Sequence, residues 1–223
     1  MIDIEIKKRI LTSLFLFIIL FLSFEYSYFL IITIIIIAIV SWVEFYSLIN
    51  KIFTPVKTKH KIFGFLSKSI SLLFIMSLVL FILSITTYNK NLIIFIVYSL
   101  FIAIASDIGG LTIGKIFKGK KLTKISPKKT ISGSIGSFIF SLFLIPFFYD
   151  SFKSYSLVSL IIITLVISFI SQLGDLFISY LKRTAKVKNT SNLLPGHGGL
   201  LDRIDGIIFA IPFGVVLFHF FKI

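Results

Sequence analysis

Long uninterrupted apolar runs constrain this chain more than any other feature of its sequence. A transmembrane helix needs about 20 predominantly apolar residues, and a chain that carries several such runs can satisfy its backbone in lipid by folding them into helices. Seven candidate runs are present: 10–24, 28–48, 69–87, 92–114, 135–149, 156–178 and 204–221. The first and fifth are short, so this count is good to about one span. We predict an all-α integral membrane protein, a polytopic bundle of about seven transmembrane helices with cytoplasmic active-site loops.

Composition and charge placement exclude the main alternatives. Hydrophobic residues make up 57% of the 223 residues, whereas a soluble domain has roughly 45–50%, so a soluble globular protein is excluded. The formal charge of +14 does not indicate nucleic acid as a partner, because the Lys and Arg residues lie in short segments between apolar runs. When these segments are assigned to alternating sides, 20 of the 23 cations fall on one side. Since cytoplasmic loops carry this excess, we expect a cytoplasmic N-terminus and an outward C-terminus.

The N-terminal run resembles a secretory signal but is expected to remain in the protein. Three cations, Lys7, Lys8 and Arg9, precede the apolar run 10–24, and no small-x-small cleavage pattern follows it. Another apolar run begins almost at once, which favours an uncleaved first membrane helix in the inner (cytoplasmic) membrane. We divide the chain into N-terminal membrane helices over 1–105 and a catalytic membrane region over 106–223, within one integrated membrane domain.

Carboxylates beside apolar runs are the first candidates for function. A charge at mid-bilayer costs roughly 2.5–3.5 kcal/mol on insertion scales, so Asp107 and Asp175 are functional candidates. Asp202 and Asp205 are three residues apart, and on a helix they would share one face and could hold one hard cation. Mg²⁺ is the expected metal, because it prefers oxygen ligands and is shared with substrate phosphates. The alternative is that Asp202 only caps a helix, with Arg203 paired to either acid.

A polar stripe is predicted around Asp175. Gln172, Asp175, Ser179 and Lys182 follow an i, i+3, i+7, i+10 pattern. If a helix continues past the membrane, these side chains lie on one stripe. Oxygen ligands would then lie beside a phosphate-binding cation.

Gly, Lys and hydroxyl groups concentrate in two stretches, 106–136 and 179–206. Gly lets the backbone approach a ligand, and Lys and hydroxyl groups donate to phosphate oxygens, so a polyphosphate cradle is one interpretation. An ordinary positive-inside loop is the other interpretation.

His197, in a Pro-Gly-His-Gly-Gly turn, could contact phosphate or base, or could be a plain polar turn residue. Aromatic residues near run ends, such as Trp42 and Tyr46, are expected to be interfacial anchors.

Residues 179–205 read SYLKRTAKVKNTSNLLPGHGGLLDRID. This segment closely resembles the signature of phosphatidate cytidylyltransferases (CDP-diacylglycerol synthases), in which S-x-x-K-R is followed by K-D and then by P-G-H-G-G-x-x-D-R-x-D. The stretch 107–133 also resembles the family's D-x-x-x-x-x-x-G-[RK] and I-S-P-K-K-T segments. Three acidic positions of the family pattern are replaced, by Ile178, Ser132 and Asn189. The resemblance covers the C-terminal half of the chain.

The resemblance implies that CTP and phosphatidic acid react to give CDP-diacylglycerol and pyrophosphate. Implied catalytic residues are Asp202, Asp205, Asp175, Lys182 and Arg183. Implied metal ligands are Asp175, Asp202 and Asp205, with Asp107 as a further candidate for Mg²⁺, and a second cation is left open. Implied substrate-binding residues are Ser126, Lys128, Lys129, Thr130, Ser179, Lys188, His197 and Arg203.

Two rival functions stay open at this point. A related membrane cytidylyltransferase that uses another lipid phosphate would share most of these motifs. A small ion-coupled transporter could use Asp107 and Asp175 as midplane ligands, but it predicts inverted repeats and leaves the segment 179–205 unexplained. The expected partners are CTP, phosphatidic acid and membrane lipids; nucleic acid is not expected, and a homodimer is left open.

Overall fold

The computed structural model describes residues 4–53, 58–88, 92–123, 126 and 129–221. Within these ranges the regular elements are helices: α1 (Ile4–Glu25), α2 (Ser27–Ile52), α3 (Thr58–Tyr88), α4 (Ile93–Phe117), α5 (Ile131–Leu142), α6 (Ile145–Phe148), a 3₁₀ turn (Tyr149–Phe152), α7 (Leu157–Thr184), α8 (Leu201–Ile204) and α9 (Ile207–Phe220). Extended backbone is limited there to isolated bridges such as Lys121 with Thr130. The predicted all-α membrane fold is confirmed.

Five helical segments of the described chain are long and apolar enough to cross a membrane: Ser27–Ile52, Lys59–Tyr88, Ile93–Phe117, Ile131–Phe152 and Leu157–Thr184. The first and last predicted spans correspond to shorter apolar helices, Arg9–Ser23 within α1 and the 14-residue α9. Pro146 lies in the first turn of α6, and because proline cannot continue a helix, α5 stops after 12 residues. The fifth predicted run, 135–149, extends across this break and lies within the 22-residue candidate span Ile131–Phe152.

The chain forms two packing units, one of Met1–Leu83 with Leu181–Arg203 and the other of Ser84–Tyr180 with Ile204–Ile223. In the first unit, α2 presents a buried face that includes Ser41, Glu44, Leu48 and Ile49. The predicted division at residue 105 concerns the placement of catalytic motifs, and these packing units do not test it.

The end of α7 shapes the loop that follows in the first unit. Lys186 has a φ of 55°, a left-handed conformation that reverses the chain direction. The amide of Val187 donates to the carbonyl of Lys182 at 2.9 Å, and the amide of Lys186 donates to the carbonyl of Arg183 at 3.0 Å. These are the two bonds of a Schellman motif, so the helix ends sharply and the chain turns into the segment 186–200.

In the second unit, α4 and α5 cross at very close range. A Cβ at Gly110 would lie 2.8 Å from Ser137 Oγ, and a Cβ at Gly133 would lie 2.8 Å from the carbonyl oxygen of Gly110. Small residues at such crossings let two backbones approach closely in a membrane. The hydroxyl of Thr130 accepts the amide of Gly133 at 3.0 Å, so Thr130 caps α5 at its N-terminus.

An aromatic cluster forms the core at the other end of the second unit. Phe95, Phe152 and Phe218 stack, with ring centroids 4.6 Å apart for Phe95 and Phe218 and 4.8 Å apart for Phe152 and Phe218. The hydroxyls of two tyrosines are satisfied there, Tyr98 by Thr164 at 2.7 Å and Tyr155 by the Phe218 carbonyl at 2.9 Å. Buried tyrosines need such partners, so this cluster is structural.

Candidate active site

Asp202 and Lys182 form a buried ion pair in the first unit. Lys182 Nζ lies 2.6 Å from Asp202 Oδ1, and the two side chains are only 14% and 7% exposed. The other oxygen, Oδ2, accepts the Thr190 amide at 2.9 Å, the Thr190 hydroxyl at 3.0 Å and the Gly199 amide at 3.0 Å. The predicted carboxylate and the predicted phosphate-binding cation therefore contact each other directly.

The environment of Asp202 favours its charged form. Burial acts to raise the pKa of this carboxyl, but the hydrogen bond and charge of Lys182 and the amides of Thr190 and Gly199 outweigh it, so the pKa is lowered. Hydrogen bonds and a nearby cation stabilise the ionised carboxylate more than burial destabilises it. Asp202 is thus held as an anion, the form that a metal or a cationic group can bind.

Glu44 is a second carboxylate in the same unit, and none of the sequence motifs points to it. It comes from α2, is 4% exposed, and accepts four hydrogen bonds from the segment 190–201. Oε1 accepts from Ser191 Oγ at 2.6 Å and from the Leu200 amide at 3.0 Å. Oε2 accepts from Thr190 Oγ1 and the Leu201 amide, both at 2.8 Å. The sequence feature that could have identified Glu44 is its position as an acidic residue in an otherwise apolar run.

The Pro-Gly-His-Gly-Gly segment forms a tight turn. Gly196 and Gly198 have φ values of 76° and 87°, which glycine adopts without strain. The amide of Leu194 donates to the carbonyl of Gly198 at 2.8 Å. The guanidinium of Arg203 donates to the carbonyl of His197 through Nη2 at 2.6 Å and Nε at 3.1 Å. The Arg203 side chain therefore stabilises the turn by binding a backbone carbonyl.

His197 lies within this turn and faces α1. Its Nε2 is 3.5 Å from Ser13 Oγ, and Thr12 Oγ1 donates to the neighbouring Pro195 carbonyl at 3.0 Å. Within the described chain its Nδ1 is buried and has no hydrogen-bond partner. A buried polar nitrogen of this kind is available to a ligand or a water.

The second unit contains another predicted carboxylate with a predicted lysine. Asp175 pairs with Lys129, and Ser179 Oγ lies 3.4 Å from Asp175 Oδ1, so three predicted site residues come together here. Ser126 lies in the preceding loop, where its carbonyl accepts the Lys129 amide at 3.0 Å. The predicted polar stripe does lie on a single helix, α7, and its first member, Gln172, accepts a hydrogen bond from Ser134 at 2.5 Å.

The expectation that Asp202 and Asp205 share one helical face is wrong. The helix α8 ends at Ile204, and Asp205 lies in the turn before α9, where its Oδ1 accepts the Gly206 amide at 2.9 Å. Such local side-chain bonding competes with the helical ladder. Asp205 is 6% exposed and belongs to the second packing unit, whereas Asp202 belongs to the first.

The remaining predicted residues are exposed or fall outside the description. Asp107, on α4, is exposed, and so are Arg183 and Lys188. Lys128 lies outside the described residues. Of the positions where acids of the family pattern are replaced, Ile178 is buried, Ser132 contacts Thr130 at 3.0 Å and Asn189 is exposed.

The donor chemistry of the predicted ligands fits Mg²⁺, because carboxylate oxygens are the ligands it prefers. In the part of the chain that the structure describes, no three His, Cys, Asp or Glu side chains cluster as a metal site. Asp202 and Asp175 instead each have a lysine as counter-charge. Binding a divalent ion at either carboxylate would require its lysine to move or to be shared with a phosphate.

Comparison with known proteins places the chain in a family. The model of the cytidylyltransferase family matches residues 2–221. The chain belongs to this family. The match includes the paired Lys182 and Asp202, the turn at His197, and the α2 helix that carries Glu44. The resemblance predicted from residues 107–205 is thereby confirmed and extends to the N-terminal helices.

Several relatives share the name phosphatidate cytidylyltransferase. The protein of Rickettsia typhi is 42% identical over 115 residues, covering 47% of this chain and 50% of the relative. That of Bacillus subtilis is 38% identical over 130 residues, covering 57% and 48%, and that of Staphylococcus haemolyticus is 39% identical over 121 residues, covering 53% and 46%. The chain spans about half the length of the curated relatives it matches.

Proposed function

We propose that this protein is a phosphatidate cytidylyltransferase, which uses CTP and phosphatidic acid to make CDP-diacylglycerol for phospholipid biosynthesis. The observation that carries the proposal is the buried pair of Lys182 and Asp202. Both residues lie in the signature segment, residues 179–205, whose backbone amides donate to the carboxylates of Glu44 and Asp202. The names of the relatives support the same activity. CTP and phosphatidic acid are its proposed partners, and a homodimer stays a prediction.

The proposed reaction is a phosphoryl-type transfer that needs no nucleophile from the protein. An oxygen of the lipid phosphate attacks the α-phosphorus of CTP, the bond to the β-phosphate oxygen breaks, and pyrophosphate leaves. Such transfers depend mainly on in-line positioning and on neutralising charge. In this proposal Lys182 in the first unit and Lys129 in the second are the cations that bind phosphate, and the turn at His197 supplies a ring nitrogen.

Mg²⁺ is the proposed cofactor. Asp202 in the first unit and Asp175 and Asp205 in the second are the candidate ligands, with exposed Asp107 as a further candidate. When bound, the ion would neutralise phosphate charge and help orient the reacting groups. We also propose that the active site faces the cytoplasm, because CTP is a soluble nucleotide and the Lys-rich segments follow the positive-inside pattern.

The first test is the transfer of α-labelled CMP from CTP to phosphatidic acid in membranes that contain this protein, with Mg²⁺ or with EDTA. We expect labelled lipid only with Mg²⁺. Asp202→Asn should reduce the rate by at least about 100-fold, because the variant loses the carboxylate that pairs with Lys182 and is proposed to hold Mg²⁺, and both of these cations would stabilise the phosphates in the transition state. Asp150→Asn is the matched control, since the Asp150 side chain is 88% exposed and pairs with nearby Lys153.

Two outcomes would contradict the proposal. Absence of labelled lipid from well-folded protein would exclude phosphatidic acid as the acceptor, and competition with other lipid phosphates would then identify an alternative acceptor. Equal rates with Mg²⁺ and EDTA would exclude the proposed metal while leaving the transfer reaction in place.

A further inference from the structure

A cavity of about 690 Å³ opens between α2 and α3 in the first packing unit. Its lining includes Trp42, Tyr46 and Asn50 from α2 and His60, Lys61 and Lys68 from α3. None of the residues predicted for catalysis, metal binding or nucleotide binding lies among its lining residues. The cavity therefore needs an explanation of its own.

The charged side chains that line this cavity are cationic. Lys61, Lys68 and His60 line it, and no Asp or Glu does among the residues that the structure describes. Lys68 Nζ lies 4.2 Å from the ring centroid of Tyr46, a position over an aromatic face that a cation favours. Trp42 Nε1 is buried and has no hydrogen-bond partner in the described part of the chain. The cavity thus presents positive charge with no anion of its own among the described residues.

The cavity also has the apolar length that a lipid needs. On α2 its lining runs from Asn50 to Trp42, about 12 Å along the helix axis, and on α3 from His60 to Leu72, about 18 Å. Asn50 and His60 lie at the helix ends next to the polar connection between α2 and α3, whereas Leu72 lies within the apolar span. Polar groups at one end and apolar groups at the other match a phospholipid that stands in its leaflet.

We propose that this cavity binds a phospholipid with a phosphomonoester head group, whose phosphate contacts Lys61 and Lys68 and whose acyl chains lie along Phe65 and Leu72. A phosphomonoester carries a charge of about −1.5 to −2 near pH 7, which complements two lysines better than the single charge of a phosphodiester does. The choice of lipid rests on the proposed function, and the proposal goes beyond it by assigning the lipid to a cavity whose lining contains none of the residues predicted for the transfer reaction.

The chain itself supplies the reporter for a test. Trp42 is the single tryptophan of the sequence, so all tryptophan emission originates at this cavity. We would place the protein in phosphatidylcholine vesicles and add phosphatidic acid with brominated acyl chains, which quench tryptophan on contact. We expect saturable quenching, with half of the effect at a mole fraction at least about threefold lower than for brominated phosphatidylglycerol, since charge complementarity is worth about a factor of this size.

Variants of the lining lysines test whether these two side chains hold the head group. Lys61→Gln with Lys68→Gln should raise the half-quenching mole fraction of phosphatidic acid at least about threefold. The matched control is Lys51→Gln with Lys59→Gln, which removes the same charge from the same two helices at positions that do not line the cavity. Lys61→Arg with Lys68→Arg should retain binding. If the double Gln variant fails to fold, Lys61→Gln alone serves, because Lys61 is exposed.

Three outcomes would overturn the proposal: equal quenching by phosphatidic acid and phosphatidylglycerol, equal quenching by brominated phosphatidylcholine, or equal effects of the lining and control variants. The first would indicate a general anionic-lipid surface and the second simple exposure of Trp42 to the bilayer. Because fluorescence does not depend on turnover, failure here is separate from failure of CMP transfer.

Discussion

Thr190 joins two carboxylates that are 158 positions apart in the sequence, Glu44 and Asp202. Its hydroxyl is 2.8 Å from Glu44 Oε2 and 3.0 Å from Asp202 Oδ2. One hydroxyl carries one proton and can donate to only one of these oxygens at a time. The backbone amides of Leu201 and Gly199 supply the further donors that the two carboxylates need. The conformation of the signature segment therefore depends on both acids together.

Glu44→Gln should loosen this segment. In either orientation of the Gln side chain, its NH₂ group faces two donors that lose their acceptor. Each buried donor without an acceptor lowers the stability of the folded segment by about 1–3 kcal/mol. We expect faster hydrogen exchange at the amides of Leu200 and Leu201, and a higher KM for CTP than in the unmodified protein. Glu25→Gln is the matched control, because Glu25 is exposed on α1. Unchanged exchange at these two amides would contradict the anchoring role.

Asp202 should also make stability depend on pH. Its pKa is lowered in the folded protein, so its stabilising effect is fully present above the ordinary Asp pKa of about 3.9 and is lost as the pH falls through the folded value. The thermal midpoint in detergent should therefore fall less steeply between pH 6 and pH 3 for Asp202→Asn than for the unmodified protein. Asp150→Asn should keep the original slope. Parallel slopes for all three proteins would show that Asp202 is not stabilised in its charged form.

At the scale of elements, the crossing of α4 and α5 depends on the absence of side chains. A Cβ at Gly136 would lie 2.6 Å from the carbonyl oxygen of Gly109 and would also meet the side chain of Ile113. Gly136→Ala should therefore separate the helices and destabilise the protein by about 1–3 kcal/mol, the usual cost of overpacking. The control is Gly64→Ala on α3, where a Cβ would meet only the side chain of Phe53, at 3.2 Å. Equal thermal midpoints for the two variants would contradict a close crossing.

The bounds of the helices show what the sequence could predict about elements. Apolar run length predicted α2, α4 and α7 well, because lipid requires helical backbone throughout a span. It overestimated the last span, 204–221, in which the 14-residue α9 begins only at Ile207, after a turn that separates it from α8. The turn between them depends on Asp205 bonding to the Gly206 amide, a local competition that run length does not detect.

At the scale of the whole molecule, motifs identified the candidate residues but not their partners. Lys182 and Asp202 were both predicted, yet their pairing depends on the Schellman turn at Lys186 and on a segment with no periodic pattern. Glu44 was missed because its four donors lie 146 or more positions away, and one sequence contains no signal for contacts at that separation. Long-range polar contacts of this kind need the assembled fold.

At this scale we predict the orientation in the membrane from the charge distribution, and labelling can test it directly. Because cations gather on the cytoplasmic side, Lys121 should face the cytoplasm and Ser154 the opposite side. The sequence has no cysteine, so Lys121→Cys and Ser154→Cys each introduce a single reactive site at an exposed position. In intact cells a membrane-impermeant maleimide should label only Ser154→Cys, and after permeabilisation it should label both. Labelling of Lys121→Cys alone in intact cells would reverse the orientation and place the Lys-rich loop on the side opposite to cytoplasmic CTP.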